Sequence, residues 1–344
     1  RTLKGKGYAP AEEHKEQWHY SGPFDIETGR SLFEGDEEDY SSVSCDYLLD
    51  KMKKDPKVVA ITAGTPTVIG FTEDKRREAG KQFVDVGIAE ETAVALASGI
   101  AANGGKPVWG VYSTFVQRTY DQIAQDLCIN NNAATIVTFW GTVYGMNDVT
   151  HLGLYDIPMM ANIPNLVYLA PATKEEYLAM LDWSLEQTDH PVAIRLPGGP
   201  VISDGRKVTK DFSDLNQYEI TQKGSRVAIV GLGTFYSLGQ SVAKELEEKT
   251  GTKATVINPY YITGIDQEML EDLKKDVVEK FRRAEDSFTE VTGEEQEFLQ
   301  KFALICLLSF DVYMKKMIVE QLVADLADTM KAQEPEKEAH KKKN

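Results

Sequence analysis

Between about residue 41 and residue 205, short apolar runs alternate with longer segments that carry apolar residues on one face. The runs have the length and composition of strands that are buried on both faces. They are Lys57–Thr62, Phe83–Val86, Pro107–Val111, Ala134–Phe139, Leu166–Leu169 and Val192–Leu196. The segments between them predict helices that begin at Ser42 or Ser44, at Ile88–Glu90, at Thr114 and at Thr173. This alternation predicts an α/β fold with a mostly parallel, doubly wound sheet.

A second, smaller α/β unit begins near Gly224. A strand at Val227–Val230, a helix at Ser237–Glu248 and a strand at Ala254–Ile257 make one βαβ half-unit. From about Val277 the pattern is helical, and the chain ends in a charged tail. Residues 1–40 show no sustained period and predict an irregular segment. The predicted segments are therefore 1–40, 41–205, 206–223, 224–276 and 277–344.

The composition is that of a globular protein and limits the class of partner. Apolar residues make up 42% and charged residues 27% of the 344 residues, and the net charge is −16. Such a surface repels phosphates and anionic lipid, so we expect no nucleic acid and no membrane as partner. Three cysteines without metal-ligand spacing favour a reducing compartment, and we expect a cytoplasmic protein. Residue 1 is Arg and not Met, so we expect that the chain was cut from something longer or lacks its start.

The first stretch that suggests chemistry is Asp85-Val86-Gly87-Ile88-Ala89-Glu90. A strand ends here, a glycine makes the turn, and Glu90 stands in the first turn of the next helix. A carboxylate at this place can complement the helix dipole, which is worth a few tenths to about 1 kcal/mol. It can also face a ligand at the carboxyl ends of parallel strands, where open α/β sheets bind ligands. Taken alone, the stretch favours the first interpretation, in which Glu90 only complements the helix dipole.

The second stretch is Tyr112-Ser113-Thr114-Phe115-Val116-Gln117-Arg118-Thr119-Tyr120-Asp121-Gln122. Phe115 and Arg118 are three residues apart and share a helix face. An aromatic ring beside a guanidinium group could hold a flat heterocycle. The plainer alternative is that Phe115 packs in the core while Arg118 pairs with Asp121 or Asp85.

Single residues in loops and at strand ends add further candidates. His151 lies in a glycine-bounded loop after a strand, and together with the more ambiguous His19 it is a candidate proton shuttle. Arg195 ends a strand, where it could meet an anion. Each could equally be a surface or salt-bridged side chain. Gly231-Leu232-Gly233 is only a weak dinucleotide signal, because the third glycine is out of register.

Four sequence motifs, in the order in which they occur along the chain, carry a resemblance to a known family. Both stretches above occur together with Thr150-His151-x-Gly153-x-x-Asp156 and with an amino-terminal Thr2-x-Lys4-Gly5-x-Gly7-Tyr8…Trp18-His19. In this order they resemble the thiamin-diphosphate-dependent transketolase family over residues 1 to about 276. The resemblance implies the end of a diphosphate- and magnesium-binding domain at 1–20, a pyrimidine-binding domain at 41–205, and the opening of a mainly structural carboxyl-terminal domain at 224–276.

The resemblance also implies roles for individual residues. Glu90 would hydrogen-bond the aminopyrimidine ring of the cofactor, and His19 and His151 would handle substrate protons; these three are the implied catalytic residues. The implied cofactor-binding residues are Lys4, Ile88, Glu90, Tyr112, Phe115 and Arg118. The implied substrate-binding residues are Arg195, Asn147 and Asp148. The implied reaction transfers a two-carbon unit to an aldehyde or an aldose phosphate, with a keto acid or a sugar phosphate as the small-molecule substrate.

Some positions depart from the family pattern. The family continues Glu-Gln-His where this chain has Glu90-Glu91-Thr92, and Trp140 stands at the place of a second phosphate-binding arginine. Asn147 stands at the place of an aspartate, although Asp148 could substitute for it. Losing a buried charged partner costs roughly 2–5 kcal/mol, so we expect weaker binding of a phosphorylated sugar.

The chain also lacks the family's Gly-Asp-Gly…Asn motif, which binds magnesium and diphosphate. We therefore expect the Mg²⁺ ligands outside this chain, in a diphosphate-binding half that is either missing upstream sequence or a separate amino-terminal subunit. As partner we expect a second copy of the chain in a homodimer, or that amino-terminal subunit. The alternative is a non-catalytic remnant or a regulatory partner that keeps the fold.

Overall fold

The structure is a computed structural model that describes residues 3–32, 38–142, 149–151, 153, 155–225 and 227–273. Asn147, Asp148, the helical segment predicted from Val277 and the charged tail lie outside the described residues. The chain divides into two compact units, Arg1–Glu38 and Asp39–Asn344.

The first unit is short and mostly irregular, as its sequence predicts. Helix α1, Ala9–Glu13, is its only helix among the described residues. The rings of Tyr8, Trp18 and Phe24 pack together, with centroid distances of 5.1 Å from Tyr8 to Trp18 and 4.7 Å from Trp18 to Phe24. This aromatic cluster gives the unit a small core of its own.

The second unit is built on a six-stranded sheet in the order β2-β1-β3-β4-β6-β5, in which every neighbouring pair is parallel. The strands are β1 Val58–Thr62, β2 Phe83–Asp85, β3 Lys106–Tyr112, β4 Thr135–Phe139, β5 Val167–Leu169 and β6 Val192–Arg195. The α-helices of this part are α2 Tyr40–Met52, α3 Glu73–Ala79, α4 Glu90–Ala102, α5 Tyr120–Gln122, α6 Asp156–Met160 and α7 Lys174–Glu186. The predicted parallel sheet is thereby confirmed.

Helices cover both faces of this sheet, which explains why its strands are mostly apolar. Ile136 and Val137 are adjacent in β4 but belong to two different hydrophobic clusters, because successive strand residues point to opposite faces. Helices α2 and α7 bury Leu48 and Leu181 in one cluster, and α4 buries Val94 in the other.

Two local predictions need correction. The cap of α2 is Asp39, and not Ser42 or Ser44: the Asp39 side chain accepts a hydrogen bond from the backbone N–H of Ser42, and the backbone N–H of Asp39 donates one to the Ser42 hydroxyl. This reciprocal pair is a capping box, so the helix begins earlier than the sequence predicts.

The helix predicted to begin at Thr114 is present but is not uniform. It consists of a 3₁₀ turn at Phe115–Thr119, the short α5, and a π-helical stretch at Ile123–Cys128. Apolar spacing does not distinguish these related helices, and irregular helical turns are frequent at functional sites.

A three-stranded sheet in the order β7-β9-β8 follows. It contains β7 Glu219–Gln222, β8 Ala228–Val230 and β9 Thr255–Asn258, with α8 at Phe235–Thr250. Strands β8 and β9 are parallel, as the predicted βαβ half-unit requires, whereas the unpredicted β7 pairs with β9 in antiparallel direction. No helix among the described residues is long and apolar enough to cross a membrane.

The two sheets meet at the buried carboxyl group of Glu176. Its Oε2 accepts a hydrogen bond from the backbone N–H of Ala172 at 2.7 Å, and its Oε1 accepts one from Nδ2 of Asn258, at the end of β9, at 3.0 Å. Burial raises the pKa of Glu176 above its ordinary value.

Candidate active site

The candidate residues of the second unit gather at one edge of the parallel sheet. Strand β3 ends at Tyr112 and β6 ends at Arg195, while α4 begins at Glu90, directly after the turn that follows β2. Because parallel strands end at the same edge, the fold places these residues where α/β sheets bind ligands.

Asp85 fixes the turn that leads to Glu90. Its Oδ1 accepts hydrogen bonds from the backbone N–H of Gly64, after β1, at 2.9 Å and from that of Gly87 at 2.8 Å. Gly87 has a φ of +74°, which glycine adopts without strain. The turn leaves Ile88 82% exposed and Glu90 only 4% exposed, so an apolar side chain and a buried carboxyl group lie two residues apart.

Glu90 is held by Arg118. Nη1 of Arg118 donates a hydrogen bond to Oε2 of Glu90 at 3.1 Å, and Nε of Arg118 lies 3.5 Å from Oε1 of Glu91. The alternative partners Asp85 and Asp121 are therefore wrong. The pairing joins the start of α4 to the 3₁₀ turn after β3, so the loop arginine compensates a carboxylate that would otherwise be buried without a cation.

The same 3₁₀ turn carries Phe115, which meets His151 and Tyr112. The ring centroids are 5.2 Å apart for Phe115 and His151, 5.5 Å for Tyr112 and His151, and 5.3 Å for Tyr112 and Phe115. Nδ1 of His151 lies 2.8 Å from Oγ1 of Thr150. Burial raises the pKa of Tyr112. We call Tyr112, Phe115 and His151 the aromatic triad; Tyr112 and Phe115 come from one stretch of the chain and His151 from another.

Arg195 is engaged in a buried ion pair. Its Nε donates to Oδ2 of Asp156 at 2.6 Å, its Nη2 donates to the carbonyl of Gly153 at 2.9 Å, and Tyr168 donates its hydroxyl to the same Asp156 oxygen at 2.9 Å. Burial lowers the pKa of Arg195, but the Asp156 carboxylate more than offsets this, so the pKa lies above its ordinary value. Burial, together with Asp156, also raises the pKa of Tyr168. Asp156 has no assigned role in the sequence prediction, although it ends the Thr150-His151 block.

Trp140 precedes Gly141, where a Cβ would lie 2.8 Å from the Arg195 side chain. It has a φ of +57°, its carbonyl accepts a hydrogen bond from the Ser113 hydroxyl at 2.9 Å, and a Cβ on Gly198 would lie 2.4 Å from its indole. The place of the expected second arginine is thus taken by a packed, uncharged ring.

Lys4 and His19 belong to the first unit, where they contact each other. Nζ of Lys4 lies 3.2 Å from Nδ1 of His19. Both line a cavity of about 470 Å³, together with Leu3, Gly5, Lys6, Ala11, Glu12, Lys15 and Trp18. Several cationic side chains around one cavity suit an anionic ligand. Across the described parts of both units, no group of three or more His, Cys, Asp or Glu residues could hold a metal ion.

Comparison with known families decides the identity. The model of the transketolase pyrimidine-binding domain matches residues 37–200, and the model of the transketolase C-terminal domain matches residues 216–317. The chain belongs to the transketolase family. The C-terminal match extends beyond residue 273, where the described part of the chain ends.

Curated relatives within this family are 1-deoxy-D-xylulose-5-phosphate synthases. The synthase of Clostridium beijerinckii is 39% identical over 277 residues, which are 80% of this chain and 44% of that protein. The synthase of a Picosynechococcus species is 36% identical over 283 residues, again 80% of this chain and 43% of that protein. The chain spans less than half the length of these relatives.

Solved structures share the fold. A split-gene transketolase in the form of an inactive beta4 tetramer superposes with a TM-score of 0.56 at 21% identity, over 69% of this chain and 76% of that one. A transketolase from Pichia stipitis gives a TM-score of 0.58 at 20% identity, over 70% of this chain and 37% of that one. The fold is therefore shared with proteins of low sequence identity.

Proposed function

We propose that this chain is the pyrimidine-binding part of a thiamin-diphosphate-dependent carboligase of the 1-deoxy-D-xylulose-5-phosphate synthase type. The observation that carries the proposal is the buried carboxyl group of Glu90 at the ligand-binding edge of the sheet, with Arg118 on its Oε2. The family relationship supplies the cofactor, and Glu90 supplies a group that can share a proton with a nitrogenous ring.

The chemistry of the donor set fits an aminopyrimidine ring. The ring offers nitrogen atoms to a carboxyl group and a flat face to an aromatic side chain, and the 3₁₀ turn that contacts Glu90 also carries Phe115. When bound, thiamin diphosphate supplies the electron sink that a carbon–carbon bond next to a carbonyl group needs in order to form or break.

Each candidate cofactor-binding residue of the second unit then has a proposed role. Glu90 would hold a proton at a ring nitrogen, Arg118 would keep the Glu90 carboxyl group in place, and Phe115 and Tyr112 would contact the ring. Ile88 presents an exposed apolar side chain to the cofactor.

His151 and the first-unit residues act on the substrate and on the diphosphate. His151, with Nδ1 beside Thr150, is a proton shuttle for substrate hydroxyl groups, and His19 has the same role. Lys4 provides positive charge for the diphosphate. Arg195, Asn147 and Asp148 bind the substrate, a keto acid or an aldehyde or aldose phosphate; Asp156 already neutralises part of the Arg195 charge.

We further propose that turnover requires a diphosphate-binding half. The chain covers 44% of the Clostridium beijerinckii synthase, and its described residues include no carboxylate cluster for Mg²⁺. The likeness to the split-gene transketolase, whose beta4 tetramer is inactive, supports the same division. The Mg²⁺ ligands then come from that other half.

A second candidate function is a non-catalytic or regulatory protein that retains the fold. Two observations favour it: Glu91-Thr92 follows Glu90 in place of the family's Gln-His, and Trp140 fills the position of an arginine.

A reconstitution experiment separates the two functions. The full chain is assayed for carboligation with thiamin diphosphate and Mg²⁺, alone and after addition of the amino-terminal part of the Clostridium beijerinckii synthase that this chain does not match. The carboligase proposal expects little turnover alone and clear turnover in the complex. A complex that forms on size-exclusion chromatography but stays inactive supports the non-catalytic function, and full activity of the chain alone contradicts the need for a second half.

A further inference from the structure

Asp156 is a fully buried carboxylate to which no catalytic role has been given. Its Oδ2 accepts hydrogen bonds from Nε of Arg195 at 2.6 Å and from the Tyr168 hydroxyl at 2.9 Å, and Nη2 of Arg195 lies 3.4 Å from its Oδ1. Two Arg195 nitrogens on one carboxylate fix both the position and the plane of the guanidinium group.

The guanidinium group that Asp156 orients also holds the loop that carries His151. Nη2 of Arg195 donates to the carbonyl of Gly153 at 2.9 Å, while the N–H of Gly153 donates to the carbonyl of Thr142 at 3.1 Å. A Cβ on Gly153 would lie 2.6 Å from the backbone nitrogen of Thr142, so the loop lies directly against the segment after β4. Gly153 is two residues after His151, and Asp156 begins α6.

His151 itself sits in a short 3₁₀ turn, Val149–His151. Its ring meets Phe115 and Tyr112 edge-on, at 5.2 and 5.5 Å between centroids. Such contacts orient a ring only when the backbone near it is fixed. The backbone bonds of Gly153 provide this fixation from the carboxyl-terminal side of the turn.

We propose that Asp156 is a positioning residue: through Arg195 it holds Gly153, and thereby keeps the His151 imidazole against Phe115 and Tyr112. A buried ion pair is seldom retained for stability, since apolar residues of similar volume often stabilise a fold equally well or better. It does supply direction, because the planar guanidinium group bonds an aspartate and a carbonyl at once. The catalytic meaning of this arrangement rests on the proposed function, whereas the arrangement itself does not.

The test is the magnetic resonance spectrum of the imidazole. The chain has five histidines, so selective isotope labelling of histidine in the full chain gives a simple spectrum, and His151→Gln identifies the His151 signal by its loss. In the wild type this signal carries the ring-current shift of Phe115 and Tyr112. We expect Asp156→Asn to reduce that shift and to broaden the signal.

Two further variants keep the test decisive. The double variant Asp156→Leu/Arg195→Met removes both charges together and so avoids a lone buried charge; it too is expected to lose the ring-current shift. Glu176→Gln is the matched control, because Glu176 is a second buried carboxyl group that bonds Ala172 and Asn258 and not the His151 loop. We expect it to leave the His151 signal in place.

A wild-type His151 signal in either folded Asp156 variant overturns the proposal, as does an equal change in Glu176→Gln. These spectra need neither cofactor nor partner, so a failure of the proposed carboligase function is visible separately, in the reconstitution assay.

Discussion

Arg118 and Glu90 join two structural elements that the sequence keeps 28 residues apart. Nη1 of Arg118 donates to Oε2 of Glu90 at 3.1 Å, which ties the 3₁₀ turn after β3 to the first residue of α4. Only 5% of the Glu90 side chain is exposed, against 53% of the Arg118 side chain. The carboxylate is therefore inside while its cation reaches solvent, so the pair presents a buried acidic group at the mouth of the site.

Replacing Arg118 by Ala is expected to destabilise the fold. It leaves the buried Glu90 without its cation, and hydrogen bonds to charged groups contribute about 1.5–3 kcal/mol, which exposure of the arginine reduces here to the lower end. Urea unfolding measures the loss. The matched control is Arg77→Ala. Arg77 and its partners Glu73 and Asp74 are all exposed to solvent, so this change costs less than about 1 kcal/mol of unfolding free energy. Equal losses for the two variants would show that Glu90 gains nothing from Arg118.

Two glycines that end helical turns differ in the space around them, and this predicts different costs of substitution. Gly70 and Gly251 both have left-handed backbones, with φ of +80° and +69°. A Cβ on Gly70 would lie 2.2 Å from the Ser41 carbonyl oxygen, whereas one on Gly251 would meet nothing within 4 Å. We expect Gly251→Ala to cost about 1–2 kcal/mol of unfolding free energy and Gly70→Ala about 3 kcal/mol or more. Equal midpoints in urea would contradict the close approach of α2 to Gly70.

Glu176 predicts a pH dependence of stability. Burial raises its pKa in the folded state, so between its ordinary and its raised pKa the folded chain binds more protons than the unfolded chain. The stability that Glu176 contributes is fully present below its pKa in the unfolded chain. It is lost as the pH rises through the raised pKa of the folded chain, by about 1.4 kcal/mol for each unit by which the pKa is raised.

The measurement compares the wild type with Glu176→Gln in urea at several pH values from 4 upward. We expect the stability advantage of the wild type to shrink as the pH rises. An advantage that grows with pH would mean that the carboxylate, and not the carboxylic acid, is favoured at the junction of the two sheets.

Much of the fold follows from local pattern. The six strands of the parallel sheet are mostly apolar runs, and Gly87 with Glu90 marks the turn into α4, so the edge of the sheet that carries the candidate site can be predicted from the sequence. Capping is less visible, because Asp39 and Ser42 are both good cap residues and only the backbone geometry chooses between them.

The contacts that complete the site are long-range and could not be predicted in this way. Arg195 and Asp156 are 39 residues apart, and no spacing rule indicates that they pair. Strand β7 is short, and it is held by antiparallel pairing with β9, which comes later in the chain. The sequence offers several acidic residues as partners of Arg118, and its pairing with Glu90 depends on how α4 packs beside the 3₁₀ turn.

The most direct test of the account is the carboligase rate of Glu90→Gln in the reconstituted complex. Glu91→Gln is the matched control, because Glu91 is the neighbouring carboxylate, lies beside the same Arg118 and is exposed to solvent. We predict that Glu90→Gln lowers kcat by about 10²–10⁴-fold, the range for loss of a general acid–base group, while Glu91→Gln keeps the wild-type rate. A wild-type rate for Glu90→Gln, or equal losses in both variants, would contradict the account.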